Sequence, residues 1–237
     1  MKINIRESYK NTIGKLIPEY GLLSLITCFL VNGAVYWGSH LIVQNKKHYD
    51  LTSTLDNQIP FVKEWVVIYM VCYVFWAVNY ILITREGKEK WYRFVFADIL
   101  SRLICGIIFI AFPTTNVRPI LSGNDISSWL MSFIYNIDPA TNLFPSIHCL
   151  VSWFCFIGIR NSKKIPLWYK AFSCIFAVLV FASTQFTKQH YLIDVAGGII
   201  IAELCYYIAS HTQIYLILER FFVWADHKLF GAINYDK

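Results

Sequence analysis

The chain has 237 residues, 57% of them hydrophobic and 15% charged, with a mean hydropathy of +0.47. Soluble domains carry about a quarter charged residues, so this composition excludes an ordinary soluble domain and points to lipid as the solvent. The formal charge of +6 does not imply a nucleic-acid partner. Lys and Arg sit in short loops between apolar runs, where they set orientation and meet anionic headgroups.

No Pro/Gly/Ser-rich linker, internal repeat or low-complexity tract divides the chain, so residues 1–237 are expected to form one all-α membrane domain, a six-transmembrane-helix bundle. The first 16 residues form a basic N-terminus with Lys2, Arg6, Lys10 and Lys15. The apolar run behind them is long enough to span and ends in no small-residue cleavage pattern, so it is read as a retained anchor. Cys28, Cys72, Cys105, Cys149, Cys155, Cys174 and Cys205 all lie in apolar runs without C-x-x-C spacing, which suits buried thiols better than metal or redox pairs.

A span needs roughly 20 apolar residues to cross about 30 Å of hydrocarbon. Predicted spans run from Tyr20 to Val43, Phe61 to Thr84 and Phe94 to Phe112. Three more run from Ser146 to Ile159, Trp168 to Phe186 and Tyr191 to Ala209, the first of these being short. Ile126–Ile137 and the tail Ile214–Phe230, within the amphipathic segment 212–237, mix aromatic residues with polar ones and are expected on the membrane surface or packed against the bundle.

Placing the N-terminus in the cytoplasm also puts there the clusters Arg85/Lys88/Lys90/Arg93 and Arg160/Lys163/Lys164/Lys170, with Arg220, Lys228 and Lys237 in the tail. The opposite side then receives only Lys46, Lys47, Lys63, Arg118 and Lys188. This asymmetry satisfies the positive-inside rule and predicts that both termini are cytoplasmic. Within the third span, Asp98 and Arg102 stand four apart on one helix face, where mutual neutralisation is the simplest account.

Three polar stretches fall on the predicted outer side. Asn116-Val117-Arg118-Pro119 offers a planar guanidinium suited to two phosphate oxygens. Asn142-Leu143-Phe144-Pro145-Ser146-Ile147-His148 opens the fourth span, where first-turn N–H groups attract an anion, Ser146 adds a hydroxyl and His148 can protonate a leaving oxygen. In the stretch from Ser183 to Asp194, His190 and Asp194 share a helix face, so the carboxylate can hold one imidazole nitrogen and leave the other for attack. A two-His, one-carboxylate metal set from His148, His190 and Asp194 is the competing chemistry. No H-x-x-x-H pair supports it, and Arg118 and Lys188 would repel a cation, so no metal or other cofactor is expected.

In order and spacing these stretches resemble the type 2 phosphatidic acid phosphatase superfamily, whose pattern is K-x6-R-P, P-S-G-H and S-R-x5-H-x3-D. The matching residues are Arg118-Pro119, Pro145-Ser146 with His148, and Ser183 with His190 and Asp194, within a catalytic half of roughly 94–211. The resemblance implies that His190 is the nucleophile, Asp194 its orienting group and His148 the acid, with Arg118 and Ser146 holding phosphate oxygens. The family's Lys, Gly and second Arg are replaced by Ala111, Ile147 and Thr184, and Lys188, one turn from Thr184, is a candidate replacement cation. The bulky residue before His148 and the missing Arg are also similar to the inositol phosphorylceramide synthase branch, which transfers a headgroup to an alcohol.

The expected activity is hydrolysis of a lipid phosphate or polyprenyl diphosphate at the outer face of a bacterial cell membrane. The alternatives are headgroup phosphotransfer in the same site, or a non-catalytic scaffold or transporter on a degenerate phosphatase fold. The expected partners are the lipid substrate and the bilayer.

Overall fold

The computed structural model describes residues 5–230, so Lys2 and Lys237 of the charge pattern lie outside the described residues. Its elements in order are α1 (Ile5–Asn11), α2 (Glu19–Val43), β1 (Tyr49–Asp50), α3 (Thr54–Gln58), α4 (Val66–Thr84), α5 (Lys88–Ala111) and β2 (Thr114–Thr115). They continue with α6 (Ile126–Ile137), α7 (Ile147–Ile157), α8 (Leu167–Phe186), α9 (Leu192–His211) and α10 (Tyr215–Phe230). The described residues are all-α apart from the two-residue strands β1 and β2, which pair in parallel.

Among the described residues, five helices are long and apolar enough to cross a membrane: Glu19–Val43, Lys63–Thr84 (α4 with its preceding 3-10 turn), Lys88–Ala111, Leu167–Phe186 and Leu192–His211. The sequence led us to expect six, and the segment that does not meet the length is α7, with 11 residues. Eleven residues rise only about 16 Å. This helix is buried along almost its whole length, enclosed by α4, α8 and α9, so its neighbours are protein and not lipid.

Each of the five long helices turns an apolar face outward. Leu30, Val74, Ile107, Ile175 and Leu204 are all exposed, an arrangement that water would penalise and hydrocarbon would not. The interior is packed by Trp91, Phe94, Phe109, Leu150, Phe154 and Ile157. Indole donors inside it find hydroxyl partners, Trp91 Nε1 on Ser24 Oγ at 2.7 Å and Trp76 Nε1 on Ser152 Oγ at 2.9 Å. Asp98 and Arg102 pair at 2.7 Å with both side chains buried, and the Tyr80 hydroxyl donates to the same carboxylate oxygen at 2.7 Å. Neutralisation within the bundle is what this pair achieves.

The basic clusters gather at one end of the bundle. Lys164 Nζ donates to the Arg85 carbonyl at 2.8 Å, Lys88 pairs with Glu219 at 3.0 Å, and Arg93 Nη1 donates to the Ala209 carbonyl at 2.6 Å. The polar stretches gather at the other end, where Tyr49 N–H donates to the Pro113 carbonyl, Asn116 to the Lys188 carbonyl and Lys188 to the Asp56 carbonyl.

The contact that sets the site is between α9 and the start of α7. A Cβ on Gly198 would lie 2.7 Å from the Ser146 carbonyl oxygen, and one on Gly197 2.7 Å from Phe144 Cε2. Glycine is therefore required for this approach, and Ser146 N–H seals it by donating to the Asp194 carbonyl at 3.1 Å. Gly198→Val is expected to cost about 1–3 kcal/mol through overpacking and to lower the thermal midpoint in detergent. An unchanged midpoint would contradict so close a contact.

Candidate active site

His190 lies in the turn between α8 and α9. Its Nδ1 is 3.0 Å from the Leu143 carbonyl and 3.2 Å from Asp194 Oδ2. Both partners are acceptors, so Nδ1 carries the proton and Nε2 keeps its lone pair. Nε2 has no hydrogen-bond partner among the described residues. Asp194 is fully buried at the third position of α9, and its Oδ2 also accepts the Tyr191 N–H at 2.9 Å. The carboxylate is thus fixed by backbone before it meets the imidazole.

His148, in the first turn of α7, faces His190 with ring centroids 5.8 Å apart and planes at 55°. Both rings line one cavity of about 220 Å³ together with Arg118, Asp138, Gln189 and the aromatic side chains of Tyr36, Trp37, Tyr73 and Trp76. Arg118 is held in place on three sides. Its Nη1 donates to the Asp138 carbonyl at 2.6 Å, its Nη2 donates to Gln189 Oε1 at 2.9 Å, and its guanidinium carbon lies over the Tyr135 ring, 4.7 Å from the ring centre. The Arg118 Nε is buried without a partner. The first-turn N–H groups of Ile147 and His148 have no intrahelical acceptor, and both residues line the cavity. Two imidazoles, a guanidinium and a helix N-terminus therefore converge on a space of anion size.

Two expected phosphate ligands stand elsewhere. Ser146 is buried as the N-cap of α7, its Oγ accepting Cys149 N–H at 3.2 Å, and it lines neither of the two cavities at His190. Lys188 opens onto a second, more polar cavity of about 370 Å³ on the other side of the turn, with Asp50, Asp56, Asn116, Tyr191 and, as the shared wall, His190. Its Nζ donates to the Asp56 carbonyl at 2.7 Å. Burial draws the Lys188 ammonium pKa below its ordinary value, with Asp56 opposing. Thr184 is fully buried and spends its hydroxyl on the Phe181 carbonyl, so nothing at that position replaces the guanidinium. Lys188→Met is accordingly expected to slow turnover less than about tenfold, well below the loss on removing Arg118. Parallel kinetics of the two variants check this.

Sequence reasoning missed the residues that surround His148. Tyr69 Oη lies 3.4 Å from its Nδ1 and Tyr73 Oη 3.2 Å from its Nε2, while Trp76 packs 5.4 Å from the ring. In an apolar span these aromatic residues look like packing or lipid-facing side chains, and no local pattern separates them from the rest of α4. Gln189 and Asp138 were equally unmarked, because their contacts to Arg118 bridge 71 and 20 residues of chain.

Fold and site together define a helical membrane protein with two histidines and an arginine lining one cavity at one end. A family model described as the PAP2 superfamily matches residues 50–208, well over half of the chain, and the chain belongs to that superfamily, the type 2 phosphatidic acid phosphatases. The superfamily carries phosphatase or phosphotransferase chemistry in general. No curated protein and no solved structure matches the chain.

Proposed function

We propose that the protein is an integral-membrane phosphohydrolase that cleaves a lipid phosphate or polyprenyl diphosphate through a phosphohistidine on His190. The observation that carries this reading is the single cavity shared by His148, His190 and Arg118, with His190 Nδ1 tied to Asp194 and the Leu143 carbonyl. His190 Nε2 attacks the terminal phosphorus, its P–O bond to the leaving group breaks (an ester bond in a lipid phosphate, an anhydride bond in a diphosphate), and His148 gives its Nε2 proton to the departing oxygen. Water activated by His148 then cleaves the phosphohistidine. Arg118 and the first-turn N–H groups of α7 stabilise the charge on the transferring group, so the fixed donors suffice without a metal.

The basic end of the bundle is the cytoplasmic one by the positive-inside rule, which puts both termini inside and the site at the outer face of a bacterial cell membrane. In this arrangement α7 and the turn that follows it, as far as Ser162, complete a sixth crossing inside the protein. The aromatic wall of Tyr36, Trp37, Tyr73 and Trp76 suits the first segment of a lipid tail or headgroup.

Transfer to an acceptor alcohol is the second reading, favoured by the polar cavity that shares His190. Purified protein in detergent should release phosphate from phosphatidic acid or a polyprenyl diphosphate without added metal. A product formed only when an acceptor alcohol is present, with no free phosphate, would replace hydrolysis by transfer. Absence of both, together with no vanadate binding, would leave a non-catalytic scaffold.

A further inference from the structure

Asp138 takes no part in the chemistry proposed above, yet it lines the same cavity. A carboxylate facing a phosphate site repels the substrate, so its place there calls for a compensating role. Its Oδ1 accepts the Tyr36 hydroxyl and its Oδ2 accepts the Tyr69 hydroxyl at 3.2 Å. The oxygen of Tyr69 is also 3.4 Å from His148 Nδ1, and the two rings lie against each other with centroids 4.4 Å apart.

A phenol has one proton to give. Once Tyr69 donates it to Asp138, only lone pairs remain for His148, and Nδ1 must be the donor to Tyr69. This order fixes the His148 tautomer and turns Nε2, the nitrogen 3.2 Å from the Tyr73 hydroxyl, toward proton exchange with substrate.

We propose that Asp138 is a positioning residue that acts on His148 through Tyr69, supplying the acid with the carboxylate support that Asp194 gives His190 directly. The proposal rests on His148 serving as the acid. No proton travels along the chain of groups. His148 loses its Nε2 proton to the leaving oxygen as the P–O bond breaks, Nδ1–H stays on Tyr69, and Asp138 stabilises the imidazolium before that transfer. The other groups that act on His148 are Tyr73 from α4, His190 from the turn before α9 with Asp194 behind it, and Arg118 from the loop after β2. Of these, His190 opposes protonation when it is itself charged, and Asp194 is already committed to His190.

The test is an NMR titration of histidine-labelled full-length protein in detergent, with the His148 signal assigned by His148→Gln. Asp138→Asn and Tyr69→Phe should each lower the His148 pKa by about one pH unit, and Asp138→Asn should add nothing in the Tyr69→Phe background. A His148 signal that Asp138→Asn leaves in place, or shifts equally in both backgrounds, would overturn the relay.

A second measurement needs only Asp138→Asn. Its loss of kcat/KM should be at least about tenfold larger on an alkyl phosphate, which needs an acid, than on an aryl phosphate with an acidic leaving group. Equal losses would also overturn it. Because the titration requires no turnover, a wild-type protein that releases no phosphate would sink the proposed hydrolase while the His148–Tyr69–Asp138 link is still judged by its own result.

Discussion

Phosphate release by His190→Ala is expected to fall by about 10⁴-fold or more, since a nucleophile that acts as a unit with its partners carries most of the rate. Asp194→Asn should cost about 10²- to 10⁴-fold. The loss is graded because Nδ1 has two acceptors: the Leu143 carbonyl at 3.0 Å still holds the ring when the carboxylate at 3.2 Å is neutralised. What Asn cannot do is offset the positive charge that builds on the ring as Nε2 bonds to phosphorus. Trapping by an alkaline detergent quench separates the steps. With a labelled aryl phosphate, whose leaving group needs no acid, His148→Ala should accumulate an acid-labile, base-stable phosphoprotein that His190→Ala never forms. Equal labelling in both variants would remove His190 from the nucleophile's role.

The parts of this architecture that were legible in the sequence are those that depend on local composition. Apolar runs mark α2, α4, α5, α8 and α9 because lipid-facing helices must be apolar on their outer faces too, and α6 falls on Ile126–Ile137 as its amphipathic pattern predicts. The helix α7 is the exception. Its run reads as a short span, but burial among α4, α8 and α9 frees it from the length that lipid imposes. The convergence of His148, His190 and Arg118 on one cavity, with Asp194 on His190, is legible because short motifs carry these residues. In sequence Ser146 has the features of a phosphate ligand because a serine hydroxyl looks the same whether it caps a helix or faces a cavity; here it caps α7. Helical spacing sets Lys188 one turn from Thr184, whereas the chain has left the helix at that point, with a left-handed φ of 54°, and the ammonium donates to the Asp56 carbonyl. Tyr69 and Tyr73 acquire meaning only from a tertiary contact with a histidine 79 and 75 residues later.

Arg118 yields the second large effect, and its surroundings determine the form. The guanidinium is oriented by the Asp138 carbonyl at 2.6 Å and Gln189 Oε1 at 2.9 Å, and it lies over the Tyr135 ring. Those contacts take one N–H each from Nη1 and Nη2 and leave the second N–H of each for phosphate oxygens. Arg118→Ala should therefore cost about 10²- to 10³-fold in kcat, the usual loss for a donor aimed at transition-state charge. Arg118→Lys keeps the charge but loses the fork and the stacking. An ammonium cannot serve the Asp138 carbonyl, Gln189 and a phosphate oxygen with the same geometry, so this variant should recover only a minor part of the rate, with KM moving less than kcat. Gln189→Ala should reproduce a fraction of the same loss, because it frees one edge of the guanidinium without removing it. If Arg118→Lys were fully active, the cation would be acting as a diffuse charge and the convergence of its donors on the histidine pair would have no catalytic consequence.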